Sequence, residues 1–190
     1  MLMSGICFVE PNLKLRGFSL IELMVVIAII GIVSATAFPS FMQWIQDSKT
    51  RTATEVLQNS IRLAQAEAVK NGAQVSFFLT NAAPLVNAAT AGNGLNWGIR
   101  TVNAPTLIQS GMLAPQGGNL ALSTAPNTPV LTFNSIGRLV GSVVPVTYTF
   151  TNAGGSRSLA VQVTSSGGVR MCDPAKVLSS TNPDGCGTFK

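Results

Sequence analysis

Glu22 is the residue whose chemistry least fits its surroundings. It is the single charge in the 21 residues from Phe18 to Phe38. As a helix rising about 1.5 Å per residue, that run extends roughly 31 Å, which matches the core of a bilayer. A carboxylate in such a helix costs up to ~2.5 to 3.5 kcal/mol at mid-bilayer and less near an end, so it needs a cationic partner or a task. Elsewhere reactive groups are scarce: the chain has no histidine, and beyond residue 75 its only acids are Asp173 and Asp184. The commonest general bases and most transition-metal ligand sets are therefore missing. No catalytic residue, metal or cofactor is expected, and the chain reads as something other than an enzyme.

Two plain accounts of the apolar run leave something over. A secretory signal peptide has a basic start, a short apolar stretch and a small-residue cleavage site after it. This stretch is longer, and Glu22 lies inside it. A simple anchor oriented by Lys14 and Arg16 on the cytoplasmic side accounts for the length but gives Glu22 no purpose.

The elements that must position these residues follow from periodicity. At 190 residues the chain allows one folded head plus an extra element. Its 10% charged and 46% hydrophobic residues point to a membrane or packing segment, and its net charge of +5 is spread without a Lys/Arg run. After Pro39, Ala53, Val56, Leu57, Ile61, Ala64 and Ala68 recur at helical spacing, with Arg51, Glu55, Arg62 and Lys70 interleaved. Asn71-Gly72 is a helix stop.

From Val75 the period changes to two. Leu95, Trp97 and Ile99, then Val146, Tyr148 and Phe150, then Leu159, Val161 and Val163 alternate with mostly polar or small residues. Turn clusters at Asn152-Ala153-Gly154-Gly155 and Ser165-Ser166-Gly167-Gly168 predict antiparallel pairing. Residues 81–94 carry little apolar periodicity and read as an exposed loop. The expected fold is α+β: a long N-terminal helix, transmembrane in its first half and amphipathic in its second, packed on an antiparallel β-sheet head. Trp97 is expected in the strand core.

The segment Gly17-Phe18-Ser19-Leu20-Ile21-Glu22-Leu23 resembles the processing site of type IV prepilins: a short basic leader ending in Gly, then Phe, with Glu fifth after the cut. The resemblance implies cleavage between Gly17 and Phe18 by a prepilin peptidase on the cytoplasmic face, N-methylation of Phe18, and an assembly role for Glu22. Pro39 falls where pilins carry a helix-bending proline. The implied organisation is a leader at 1–17, a transmembrane and filament-core helix at 18–39, the amphipathic half at 40–74 and the β-sheet head at 75–190. The implied location is the inner membrane, single-pass, with the head in the periplasm or on a surface pilus.

With Cys7 lost in the leader, Cys172 and Cys186 remain as an even pair, and a disulfide is expected between them. Two cysteines without histidine are too few for a metal site. The stretches Arg62-Leu63-Ala64-Gln65-Ala66-Glu67-Ala68-Val69, Asn96-Trp97-Gly98-Ile99 and Phe133-Asn134-Ser135-Ile136-Gly137-Arg138 look like the GspH/FimT family of minor pilins and pseudopilins. This resemblance implies a minor pilin acting in pilus assembly or priming, with other pilins as partners. Its alternatives are a type II secretion pseudopilin and a FimT-like DNA-uptake pilin. DNA binders of the latter kind carry Gly-Arg-x-Arg near the C-terminus, and here Gly167-Gly168-Val169-Arg170 lacks the first arginine. Arg170 and Lys190 are the candidate DNA contacts.

Overall fold

The computed structural model describes residues 17–114, 118–141 and 145–187. Lys190 and the leader up to Arg16 lie outside them. One helix, α1, covers Leu20–Asn71, with Pro39 inside it. Two compact units divide the chain after Ser40.

In the first unit Ser19 starts the helix: its Oγ accepts the Glu22 N–H at 3.3 Å, and its carbonyl accepts the Leu23 N–H at 3.2 Å. Every large apolar side chain from Phe18 to Phe38 is exposed. No single helix among the described residues is long and apolar enough to cross a membrane, whereas Leu20–Ala35 and Ala37–Asn71 meet that test together as a broken pair. The break stands one turn before Pro39. A proline removes the N–H that would bond residue i−4, here Ala35, and its ring crowds that same carbonyl.

In the second unit Ala53, Leu57, Ile61, Ala64 and Ala68 are fully buried along one helix face, as their spacing predicts. Val56 is only half-buried. Two buried hydroxyls on this stretch avoid stranded donors by bonding back along the helix, Thr54 to the Thr50 carbonyl at 2.7 Å and Ser60 to that of Leu57 at 2.9 Å. Gly72 ends the helix at φ 59°, with the Ala73 N–H on the Ala68 carbonyl and the Gly72 N–H on that of Val69, both at 3.3 Å. This double bond to the last turn is what a left-handed glycine stop provides.

The head is built from two sheets. The first, in spatial order, holds β3 (Leu107–Met112), β2 (Asn96–Thr101), β1 (Val75–Thr80) and β5 (Val130–Phe133). The second holds β4 (Leu120–Ala125), β6 (Val146–Asn152), β7 (Leu159–Val163), β8 (Val169–Val177) and β9 (Gly185–Cys186). Pairing is antiparallel except for β8 with β9, which is parallel. The sequence pattern does not foretell β9: two residues carry no period, and Pro174 in β8 cannot donate to a regular ladder.

One core cluster gathers the buried helix face with Phe77, Leu79, Ile99, Leu131, Phe133, Val146, Tyr148, Phe150, Val161 and Val163. Each fully buried side chain of this size contributes about 1.5–3 kcal/mol relative to exposure. β1 is buried on both faces. On the second face Phe78 lies across from Gly98, where an added Cβ would stand 2.4 Å from the Phe78 ring, and the Arg100 guanidinium sits 4.8 Å above that ring. Trp97 packs over Gly111 and stacks on Phe77, and it is buried in the core as expected. Residues 81–94 are tied to this sheet by Ala91 N–H to the Leu79 carbonyl at 2.9 Å and by Arg100 to the Val86 carbonyl.

Candidate functional site: the helix start and the C-terminal clamp

The helix start carries the chemistry that the sequence singles out. Gly17 and Phe18 are exposed and precede the helix, Phe18 at 82%. The junction thus lies outside the helix. Glu22 lies in the first turn, three residues after the Ser19 cap. There the carboxylate is favoured by the partial positive charge of the helix N-terminus. Sequence reasoning concentrated on the carboxylate and missed Ser19, although Ser-x-x-Glu is itself a helix-start signature. Among the described residues the Glu22 carboxylate has no side-chain partner, so it stands open to a group outside the chain.

Cys172 and Cys186 are joined, with Sγ atoms 2.08 Å apart and Cα atoms 4.9 Å apart. Arg170 clamps the loop they close: its Nη2 donates to the Gly185 carbonyl at 2.7 Å and to that of Pro183 at 3.3 Å. Lys176 donates to Asp184 at 2.6 Å across the same loop. This contact holds the Asp184 carboxyl below its usual range and raises Lys176 above its own. Gln162 fastens the chain just past the disulfide, accepting from the Gly187 N–H at 3.0 Å and donating to the Gly187 carbonyl at 3.1 Å.

Arg170, a candidate DNA contact by sequence, is thus directed into the protein's own carbonyls. Most other described cations of the head and its helix are similarly engaged. Arg62 donates to the Val169 carbonyl, Arg157 pairs with Asp173 at 3.5 Å, Arg51 with Glu55 and Lys70 with Glu67. Among the described residues only the Lys49 and Arg138 side chains lack such a partner.

The grip between helix and head uses residues that periodicity does not mark. Asp47 accepts from the Ser156 hydroxyl at 2.6 Å, the Ser156 N–H at 2.8 Å and the Arg157 N–H at 3.2 Å. The Ser156 hydroxyl, foremost, holds the Asp47 carboxyl below its ordinary value. Asn152 donates to the Gln46 carbonyl at 3.3 Å and to its side-chain oxygen at 3.2 Å. The turn cluster at 152–155 was legible as a turn, but nothing local named its partners on the helix.

Residues 53–167 match the family described as type II transport protein GspH, and residues 13–38 match the prokaryotic N-terminal methylation motif. The chain is 57% identical over 35 residues to Fimbrial protein Q of Moraxella bovis, covering 18% of this chain and 22% of that protein. It is 40% identical over 58 residues to the type IV major fimbrial protein FimA of Dichelobacter nodosus, covering 30% of this chain and 35% of that one. The chain thus spans only about a fifth to about a third of the length of these relatives. Its fold is similar to that of the type IV minor pilin FimU of Pseudomonas aeruginosa, with a TM-score of 0.55 at 15% identity over 70% of this chain and 95% of that one. With more than half of its residues matched, and with the methylation motif at its N-terminal junction, the chain belongs to the GspH family of type IV pilin-like subunits.

Proposed function

We propose that this chain is a minor pilin whose work is assembly. A prepilin peptidase cuts between Gly17 and Phe18 and methylates the new terminus, the helix holds the subunit in the inner membrane with its head in the periplasm, and the same helix then packs among those of other pilins. One observation carries the reading: every large apolar side chain from Phe18 to Phe38 is exposed, while the head closes a core of its own. Only an apolar environment outside the chain, lipid first and neighbouring helices afterwards, buries that surface.

Glu22 supplies the register. Its open carboxylate pairs with the Phe18 α-amine of the next subunit, and opposite charges at 4 Å gain ~4 kcal/mol at an effective dielectric of 20. Glu22→Leu makes the helix more apolar, so insertion is kept while the amine loses its partner. The variant should reach the membrane at wild-type level and be depleted from filaments. Equal incorporation of variant and wild type would refute the register role.

Membership in the type II transport protein GspH family favours a second reading, a type II secretion pseudopilin that does not reach the cell surface. Recovery of the chain in purified surface pili separates the two. A DNA-uptake role draws less support, because Arg170 is spent on the Pro183 and Gly185 carbonyls and most other described cations have partners. Phosphate contacts need cations free to turn outward.

A further inference from the structure

Beyond Pro39 the helix presents Phe41 and Trp44, exposed at 56% and 65%, with ring centroids 6.0 Å apart and planes 27° from parallel. Met42 beside them is exposed too. At about 3.6 residues per turn, both rings fall on the side of the helix opposite buried Leu57. Both rings thus lie off the buried helix face, and Trp44 borders an open surface groove that Arg157, Leu159 and Met171 of the head also line. Amphipathic aromatic rings, tryptophan above all, collect at the headgroup level of membranes, where the ring meets acyl chains and the N–H meets water or phosphate. On the membrane-inserted reading, residues 18–38 match a hydrocarbon core of about 30 Å, and Phe41 and Trp44 follow that run within six residues of sequence, where the headgroup layer begins.

The charges agree with an anionic lipid phosphate as the neighbour. Lys49 follows on the helix, exposed and without a partner among the described residues. The one acid of this stretch, Asp47, is turned into the head by its bonds to Ser156 and Arg157. Arg51, next along, is paired with Glu55.

We propose that Phe41 and Trp44, supported by Lys49, form an interfacial anchor that docks on the phospholipid headgroup layer and fixes the height of the head before the subunit leaves the bilayer. The inference rests on the membrane-inserted reading above. Its test reconstitutes the full chain at low density in phospholipid vesicles brominated either just below the headgroups or near the acyl-chain ends. The chain has two tryptophans, and Trp97 is buried in the head, so quenching reports Trp44. Emission should be lost more to the shallow bromine than to the deep one, and the difference should vanish in Trp44→Phe. Vesicle flotation separates the two ways of failing. A chain that floats with vesicles yet keeps its emission overturns the anchor alone, whereas a chain that does not float overturns both the anchor and the membrane reading. Shielding of Trp44 only at high protein density assigns the face to a second copy and also overturns the proposal.

Discussion

The Gln65 side-chain amide donates a 2.7 Å hydrogen bond to the Gly137 carbonyl, tying the last two turns of the helix to the turn after β5. Gly137 turns at φ 77° and Gly167 at φ 92°, and a Cβ on Gly167 would stand 2.3 Å from that same Gly137 oxygen. Two loops far apart in sequence thus converge on one helix side chain. Two of the stretches that resemble the family, around Gln65 and around Gly137, are in contact with each other.

Gly167→Ala tests that convergence. A left-handed alanine costs roughly 1–2 kcal/mol, and here the new Cβ must also displace backbone. The expected loss of stability exceeds ~2 kcal/mol in denaturant unfolding of the detergent-solubilised chain. Gly72→Ala, at φ 59° with open space around its Cβ, should cost only the conformational part, about 1 kcal/mol. Equal effects at the two glycines would mean that the Gly137 contact is absent.

Replacing both Cys172 and Cys186 by serine removes the bridge over a separation of 14 residues. Closing a loop of about 15 residues contributes roughly 3 kcal/mol in the chain-entropy model, and the double variant should lose an amount of that order. Free-thiol labelling of unreduced processed chain should find neither cysteine. Labelling of both in the folded protein would contradict the bridge and, with it, the oxidising compartment assigned to the head.

Much of this was legible from residue types alone. Helical spacing gave the buried face from Ala53 to Ala68, and period-two alternation gave β2, β6 and β7. β1 was harder to read because both of its faces are covered, which erases the alternation of Val75-Ser76-Phe77-Phe78. The split into two sheets depends on which strands pair at long range, and no local pattern encodes that. The same limit hid the partners of Arg170: its charge was visible and its acceptors, two carbonyls, were not.

Tyr148 is the chain's one tyrosine, buried with its hydroxyl on the Thr128 carbonyl at 3.0 Å. Burial pushes its ionisation well above the ordinary value near 10. The unfolded chain releases this proton first, so stability is fully present below about pH 10 and declines as pH rises further. Tyrosinate absorbance should therefore appear together with loss of the folded head. Its appearance in a head still folded by circular dichroism would place Tyr148 in contact with water.

Intact-mass analysis of the chain extracted from membranes tests the central claim most directly. The account predicts a polypeptide that begins at Phe18, lacks residues 1–17 and carries one added methyl group at its new terminus. A membrane-bound chain that retains those residues in cells with an active prepilin peptidase would contradict it.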